Sequence, residues 1–96
     1  MLQQVRKRLD ELENYCKTWT TGALILEKFP SKVTPESESR LQEFKQQLTV
    51  RCPDDRERIF SLHMRLTPGA WRLHFSEKLG PGKIIIGYIG PKIKST

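Results

Sequence analysis

Both histidines of the chain, His63 and His74, lie in the stretch FSLHMRLTPGAWRLHFS at positions 60–76, one on each side of a Pro-Gly pair. If the four residues between the apolar-polar runs connect a β-hairpin, His63 faces His74 and Arg65 faces Arg72, with roughly 5 Å between paired Cβ atoms. A slip of one residue would mix the apolar and polar faces, which favours this register. The sequence therefore predicts two imidazoles and two guanidinium groups side by side on one polar sheet face.

Such a face suits an anion. Two arginines directly opposite each other repel, and a bound phosphate removes that repulsion because a guanidinium fork matches phosphate oxygens. Imidazoles with a pKa near 6.5 exchange protons near neutral pH, so His63 and His74 have the residue types for acid and base catalysis of phosphodiester transfer. In a simple meander, Tyr88 on the following strand would bring a hydroxyl to the same face.

Other chemistries find less support in the sequence. A metal site built on His63 and His74 needs a third or fourth ligand, and the neighbouring arginines repel a divalent cation. No Ser-His-Asp or Cys-His arrangement is recognisable, and the glycine-rich segments are typical of turns rather than phosphate loops. We therefore predict no metal and no cofactor, and any catalysis would be that of a metal-independent endoribonuclease. The alternative is that alternating Arg and His merely solvate an exposed sheet face.

The positive charge of the chain is concentrated in its C-terminal part. The formal net charge is +6; residues 1–57 hold ten basic and ten acidic residues, whereas residues 58–96 hold seven basic residues and Glu77 alone. This asymmetry predicts an anionic partner, nucleic acid first and a membrane surface second. Lys83, Lys92 and Lys94 would add nonspecific, salt-sensitive affinity for phosphates.

Length and composition indicate an ordinary soluble protein. Its 96 residues are expected to form a single domain, 1–96, with too little core to divide. No apolar run reaches the roughly 20 residues of a membrane span, and the N-terminus lacks the pattern of a secretory signal, so we predict a cytoplasmic protein with no membrane association. Cys16 and Cys52 lack metal or redox spacing and are expected to pack as small apolar side chains.

The helical part is predicted over residues 1–52. Apolar residues recur at helical spacing in the first segment: Leu2, Val5, Leu9, Leu12, Cys16 and Trp19. This stripe packs either on the domain's own core or on a second copy, and the core is favoured. Residues 20–34 remain undecided between helix and extended chain. A second helix is predicted from Pro35, with Thr34 as N-cap, and Pro53 ends it.

From Arg58 onward the apolar period changes from helical to two. The runs RIFSLHMRL and WRLHFS predict two half-buried strands, and KIIIGYIG predicts a third. The antiparallel sheet spans 58–90 and a basic tail follows at 91–96. The predicted fold is α+β, with two N-terminal helices packed on one face of a three-stranded antiparallel meander.

The segment AWRLHFSEKLGPGKIIIGYIGPKI, with Arg, His and Tyr on the polar face of a C-terminal meander, resembles the last hairpin of the RelE/ParE-like toxin superfamily. The resemblance covers about the C-terminal forty residues. It implies binding and cleavage of messenger RNA at the ribosome, with Arg65, Arg72, His74 and Tyr88 in the positions of the family's active residues.

Two hypotheses follow from these patterns. The first is a small basic protein that binds nucleic acid, RNA rather than DNA, with a RelE-like ribonuclease toxin as its sharper form. The second is a noncatalytic interaction or regulatory domain that binds a protein partner or forms a homodimer through the N-terminal helix.

Overall fold

The predicted N-terminal helix is present and packs on the domain's own sheet. The structure, a computed structural model, describes residues 2–66 and 71–92. In chain order its elements are α1 (Leu2–Thr18), a 3-10 turn (Leu26–Lys28), β1 (Val33–Pro35), α2 (Glu38–Glu43), α3 (Lys45–Leu48), β2 (Thr49–Arg51), β3 (Glu57–Ile59), β4 (Leu62–Leu66), β5 (Trp71–Ser76) and β6 (Ile85–Pro91). Across the described ranges, no helix has both the length and the apolar character that crossing a bilayer demands.

Only part of the predicted apolar stripe of α1 is buried. Leu12 belongs to the core and Val5 packs against it, whereas Leu2 is 82% exposed and Leu9 is 37% exposed. Tyr15, which is not on the predicted stripe, stacks on Phe29 at a ring centroid distance of 4.4 Å. Relative to the predicted stripe, the buried face of α1 is therefore rotated toward Tyr15, which packs against the core next to Leu12.

The main sheet has four antiparallel strands in the order β1-β4-β5-β6, not the three that the sequence predicts. The additional strand spans the end of the undecided segment and Pro35, the predicted start of the second helix: Val33 pairs with Met64, Thr34 with His63 and Pro35 with Leu62. Pro35 has no N–H to donate, and an edge strand tolerates this loss. Strands β2 and β3 form a separate two-stranded sheet.

The second helix begins later and ends earlier than predicted. Thr34 and Pro35 are extended, since the residue before a proline avoids the helical region. Ser37 is the N-cap instead, and its Oγ accepts a hydrogen bond from the backbone N–H of Arg40 at 3.4 Å. The helical part is split at Phe44 into α2 and α3 and ends at Leu48, so Cys52 lies outside it, buried and free.

The first predicted strand is also divided. Residues Glu57–Ile59 form β3, and the chain then passes Phe60 and Ser61 before β4 begins at Leu62. At this break the backbone N–H of Phe60 donates to the carbonyl of Leu48 at 2.8 Å. Leaving the strand direction at Phe60 brings a large buried ring and its carbonyl oxygen next to the main sheet.

Side chains cover both faces of the main sheet, which corrects the prediction of helices on one face only. One face carries the apolar core of α1 and the sheet: Leu12, Leu62, Met64, Leu66, Leu73 and Phe75 are all buried in it, together with Phe29 and Val33. On the other face, Glu36 from the turn before α2 contacts His63, and Phe60 contacts His74. The histidine face is therefore enclosed.

Candidate functional site

The predicted hairpin register is present. His63 pairs with His74, Arg65 with Arg72, and the two imidazole centroids are 5.3 Å apart. The connecting residues Thr67–Ala70 lie outside the described residues. The parity of the apolar residues, combined with a four-residue connection, thus placed both pairs.

A row of four polar side chains crosses the sheet at the level of the histidines. Thr34 on β1 pairs with His63, and Tyr88 on β6 pairs with His74. The ring of Tyr88 meets that of His74 edge to face at a centroid distance of 5.8 Å. This pairing places Tyr88 beside the histidines, on the face expected for it in a simple meander.

The histidines are not on an open surface, and this corrects the expectation of an exposed patch. His63 is 8% exposed, His74 is 1% exposed and Arg72 is 9% exposed. His74 has almost no accessible surface for an RNA strand to contact, and only a small part of His63 is exposed. The geometry consequently lacks the pair of accessible acid and base groups that the phosphodiester hypothesis assumed.

Glu36 is the acidic residue that covers the histidine pair. Its Oε1 lies 3.1 Å from Nδ1 of His63 and 4.0 Å from Nε2 of His74. Its Oε2 accepts a 2.6 Å hydrogen bond from Nε of Arg40. In the sequence, Glu36 follows Pro35, where the first turn of the second helix is predicted, and no local signal links it to residues 63 and 74.

Burial and the neighbouring charges determine the protonation of Glu36, His63 and His74. Burial lowers the pKa of His63 to about 4 even though Glu36 opposes the shift, and it also lowers the pKa of His74. Burial alone would raise the pKa of Glu36, but the hydrogen bond from Arg40 and the nearby positive charge hold it below its usual value. At pH 7 the cluster therefore contains an ionised carboxylate and two neutral imidazoles.

Each ring has a different hydrogen-bond state. Nδ1 of His74 lies 3.0 Å from the carbonyl oxygen of Phe60, and since a carbonyl only accepts, this nitrogen carries the proton. Nδ1 of His63 is buried and has no hydrogen bond, because its 3.1 Å approach to Glu36 lacks hydrogen-bond alignment. A buried nitrogen without a partner calls for a ligand or another explanation.

These three residues also form a group with metal-ligand chemistry. One donor atom from each of Glu36, His63 and His74 lies within 4.8 Å of the others. The sequence predicts no metal for two reasons, the lack of a third or fourth ligand and repulsion by the neighbouring arginines; Glu36 supplies a third ligand and so removes the first reason. Two imidazoles and a carboxylate are a donor set used for zinc and for nonhaem iron.

The arginine pair differs from the histidine pair in exposure. Arg65 is exposed, whereas Arg72 is buried, and burial together with the charge of Arg65 lowers the pKa of Arg72. Within the described part of the chain neither guanidinium has an ion pair. The charge of Glu36 opposes the lowering of the Arg72 pKa, so among the described residues an acid offsets part of the repulsion without forming an ion pair with either guanidinium.

A cavity of about 290 Å³ lies beside Arg65 and is lined mainly by hydrogen-bond donors. We call it the cationic cleft; its lining residues are Arg8, Ser31, Lys32, Thr34, His63 and Arg65. Behind it, Glu11 accepts hydrogen bonds from Ser31 at 2.7 Å and from Arg8 at 3.4 Å. The sequence did not point to Arg8 or Lys32, because they come from the balanced N-terminal half.

The remaining predicted phosphate ligands are not gathered at this cleft. Lys83 lines a separate groove with Leu9 and Cys16, on the side of the sheet that α1 covers. Lys92 follows β6, and Lys94 lies outside the described residues. The hydroxyl of Tyr88 donates a 2.6 Å hydrogen bond to the carbonyl of Pro91.

Comparisons of the chain with protein-family models, with curated proteins and with solved structures found no match.

Proposed function

We propose that this protein binds nucleic acid through phosphate contacts at the cationic cleft, with RNA preferred to DNA. The observation that carries the proposal is that Arg65, predicted to hold phosphate, lines a cavity with two further basic side chains, Arg8 and Lys32. The preference for RNA comes from the resemblance of the C-terminal hairpin to RelE-like toxins.

The charge balance of the cleft supports an anionic ligand. Glu11 offsets part of the charge of Arg8, but Lys32 and Arg65 have no acidic partner in the described part of the chain. Two hydroxyl groups, from Ser31 and Thr34, lie in the same lining. Basic side chains with neighbouring hydroxyls are the groups that contact phosphate oxygens in nucleic-acid complexes.

The proposal is confined to binding. Cleavage by His63 and His74 requires an imidazole within hydrogen-bond reach of the ribose or phosphate, and His74 is 1% exposed. RelE-like ribonuclease activity stays a prediction, and it has a separate test: RNA recovered intact after incubation with the protein, with and without ribosomes, would remove it without touching the binding proposal.

Fluorescence anisotropy of a labelled single-stranded RNA, repeated over a range of salt concentrations, tests the binding proposal. The variant Lys32→Gln/Arg65→Gln removes two phosphate contacts, so the slope of log K against log salt should become shallower by about 1.4, at about 0.7 per contact for single strands. The control Lys17→Gln/Lys45→Gln removes two exposed charges outside the cleft and should keep most of the slope.

Equal weakening by both double variants would mean that net charge, rather than the cleft, holds the RNA. Absence of salt-sensitive binding by the wild-type protein would overturn the proposal outright. Competition with DNA of the same sequence tests the RNA preference separately. Equal affinities for RNA and DNA would remove the preference and leave the binding proposal in place.

The exposed residues of α1 favour a second candidate, self-association through this helix. Leu2 and Leu9 belong to the predicted apolar stripe and both are exposed, and Leu9 borders an apolar groove of about 440 Å³. Sedimentation of the wild type and of Leu2→Gln/Leu9→Gln distinguishes this candidate, since a dimer through α1 should dissociate in the variant. A monomeric wild type would exclude it.

A further inference from the structure

The cluster of Glu36, His63 and His74 differs from an ordinary buried polar network because three of its potential metal-binding atoms point toward one another and make no hydrogen bonds among themselves. A buried network normally satisfies its members with each other. Here Nδ1 of His63 has no hydrogen bond, and Nε2 of His74 lies 4.0 Å from Oε1 of Glu36, beyond hydrogen-bond distance. Nδ1 of His63, Nε2 of His74 and Oε1 of Glu36 therefore lie close together without hydrogen bonds between them.

His74 and Glu36 each make a hydrogen bond on the side away from the cluster, as metal-binding residues commonly do. The proton on Nδ1 of His74 is directed to the carbonyl of Phe60, which leaves the lone pair of Nε2 facing the cluster. Arg40 holds Oε2 of Glu36 and leaves Oε1 toward the imidazoles. Metal-binding histidines donate their other N–H to a carbonyl or carboxylate, and metal-binding carboxylates are themselves hydrogen-bonded.

The spacing of the donors fits one ion. With bonds of about 2.1 Å, neighbouring ligand atoms of a tetrahedral zinc site are about 3.4 Å apart. The two distances from Oε1 of Glu36, 3.1 Å to His63 and 4.0 Å to His74, lie on either side of that value. Small rotations of the side chains would equalise them.

We propose that Glu36, His63 and His74 form a three-ligand binding site for a divalent transition metal, with zinc the preferred ion. A hard cation such as Mg²⁺ or Ca²⁺ selects all-oxygen ligands, whereas two imidazoles and one carboxylate suit zinc or ferrous iron. Three protein ligands leave a further coordination position open, as in catalytic rather than structural zinc sites.

The arginines restrict what fills the open position. Arg40 contacts Glu36, and Arg72 lies on the same sheet face as both histidines, so a dication adds positive charge to a basic environment. An anionic fourth ligand, such as hydroxide, offsets this charge. His63 also lines the cationic cleft, and this gives such an anion a route to the site.

This proposal is independent of nucleic-acid binding, and its test uses the metal alone. The full chain is stripped with chelator, dialysed and titrated with Zn²⁺ by calorimetry and with Co²⁺ by visible absorption. We expect one ion per chain and the d–d bands of a low-coordinate Co²⁺ site with nitrogen and oxygen ligands. Zn²⁺ should also raise the midpoint of thermal unfolding, because it binds the folded chain.

Near-isosteric variants identify the ligands. Glu36→Gln and His63→Gln should each weaken Zn²⁺ binding by more than the roughly 10–100-fold that loss of an outer contact causes. Arg40→Gln, an outer-contact variant, should stay within that range. The matched control is Cys16→Ser/Cys52→Ser, which removes the two free thiols of the chain and should leave affinity unchanged.

A wild-type protein that binds no stoichiometric metal would overturn the proposal, as would loss of binding in the cysteine control. If the ligand variants fail to fold, the Co²⁺ spectrum of the wild type still decides, because thiolate-to-cobalt charge-transfer bands would contradict an all-nitrogen and oxygen site. Unchanged affinity in folded Glu36→Gln and His63→Gln would also contradict it.

Discussion

His63 and His74 lie directly opposite each other on antiparallel strands, yet a different group faces each: Oε1 of Glu36 lies 3.1 Å from Nδ1 of His63 without a hydrogen bond, and Nδ1 of His74 donates to the carbonyl of Phe60 at 3.0 Å. The two segments that supply these groups are not neighbours in sequence. They are the turn before α2 and the break between β3 and β4. The histidine pair therefore joins three parts of the chain, and its contacts affect folding as well as any binding.

Glu36→Gln should destabilise the fold by about 1–3 kcal/mol, because the change weakens a charged hydrogen bond to Arg40 and leaves buried polar groups poorly paired. Urea unfolding in the presence of chelator measures this effect without any metal contribution. The control Asp55→Asn removes only an exposed ion pair with Arg51 and should cost less than about 1 kcal/mol. Equal costs for the two variants would show that Glu36 has no special structural role.

Gly87 is required by the ring of Phe60. The register between β5 and β6 shifts between His74 and Phe75, and a Cβ at Gly87 would lie 2.4 Å from the Phe60 ring. We expect Gly87→Ala to cost about 1–3 kcal/mol through overpacking. The cost should shrink by more than about 0.5 kcal/mol in a Phe60→Leu background, and strict additivity in this double-mutant cycle would contradict the contact.

The register of the histidine hairpin could be predicted from the sequence because strand parity and a short connection are local. Met64, Leu66 and Leu73 must share a face, and this requirement together with a four-residue connection places His63 opposite His74. The same parity placed the two arginines. Nothing about this inference depends on distant parts of the chain.

The covering of the histidines by Glu36 could not be predicted, because it depends on contacts between distant parts of the chain. Thr34-Pro35 carries a helix start signal, but it is also a β-branched residue held extended by a following proline, and only pairing with β4 decides between the two. That pairing joins residues about thirty positions apart. Once it forms, Glu36 comes beside His63, and a face predicted to be open becomes enclosed.

The β2–β3 hairpin contains an ion pair whose pH dependence can be stated. Two hydrogen bonds from Arg58, at 2.9 and 2.7 Å, hold the pKa of Asp54 down at about 2, below its ordinary value of 3.8. Because the folded-state pKa is depressed, the stabilisation is complete above about pH 4 and is lost as the pH falls toward 2. In an NMR titration, Arg58→Gln should return the Asp54 midpoint toward 3.8, and an unmoved midpoint would contradict the pair.

Tyr88 is a predicted catalytic residue whose structural contact and RNA contact can be separated by one substitution. Its hydroxyl donates to the carbonyl of Pro91, so Tyr88→Phe should cost about 0.5–1.5 kcal/mol of stability and leave RNA affinity unchanged. Arg65→Gln, measured beside it, should weaken RNA binding with little loss of stability, since Arg65 is exposed and unpaired in the described part of the chain. If Tyr88→Phe instead lost tenfold in RNA affinity, about 1.4 kcal/mol, while remaining folded, the phenol would have to leave Pro91 and contact the nucleic acid directly.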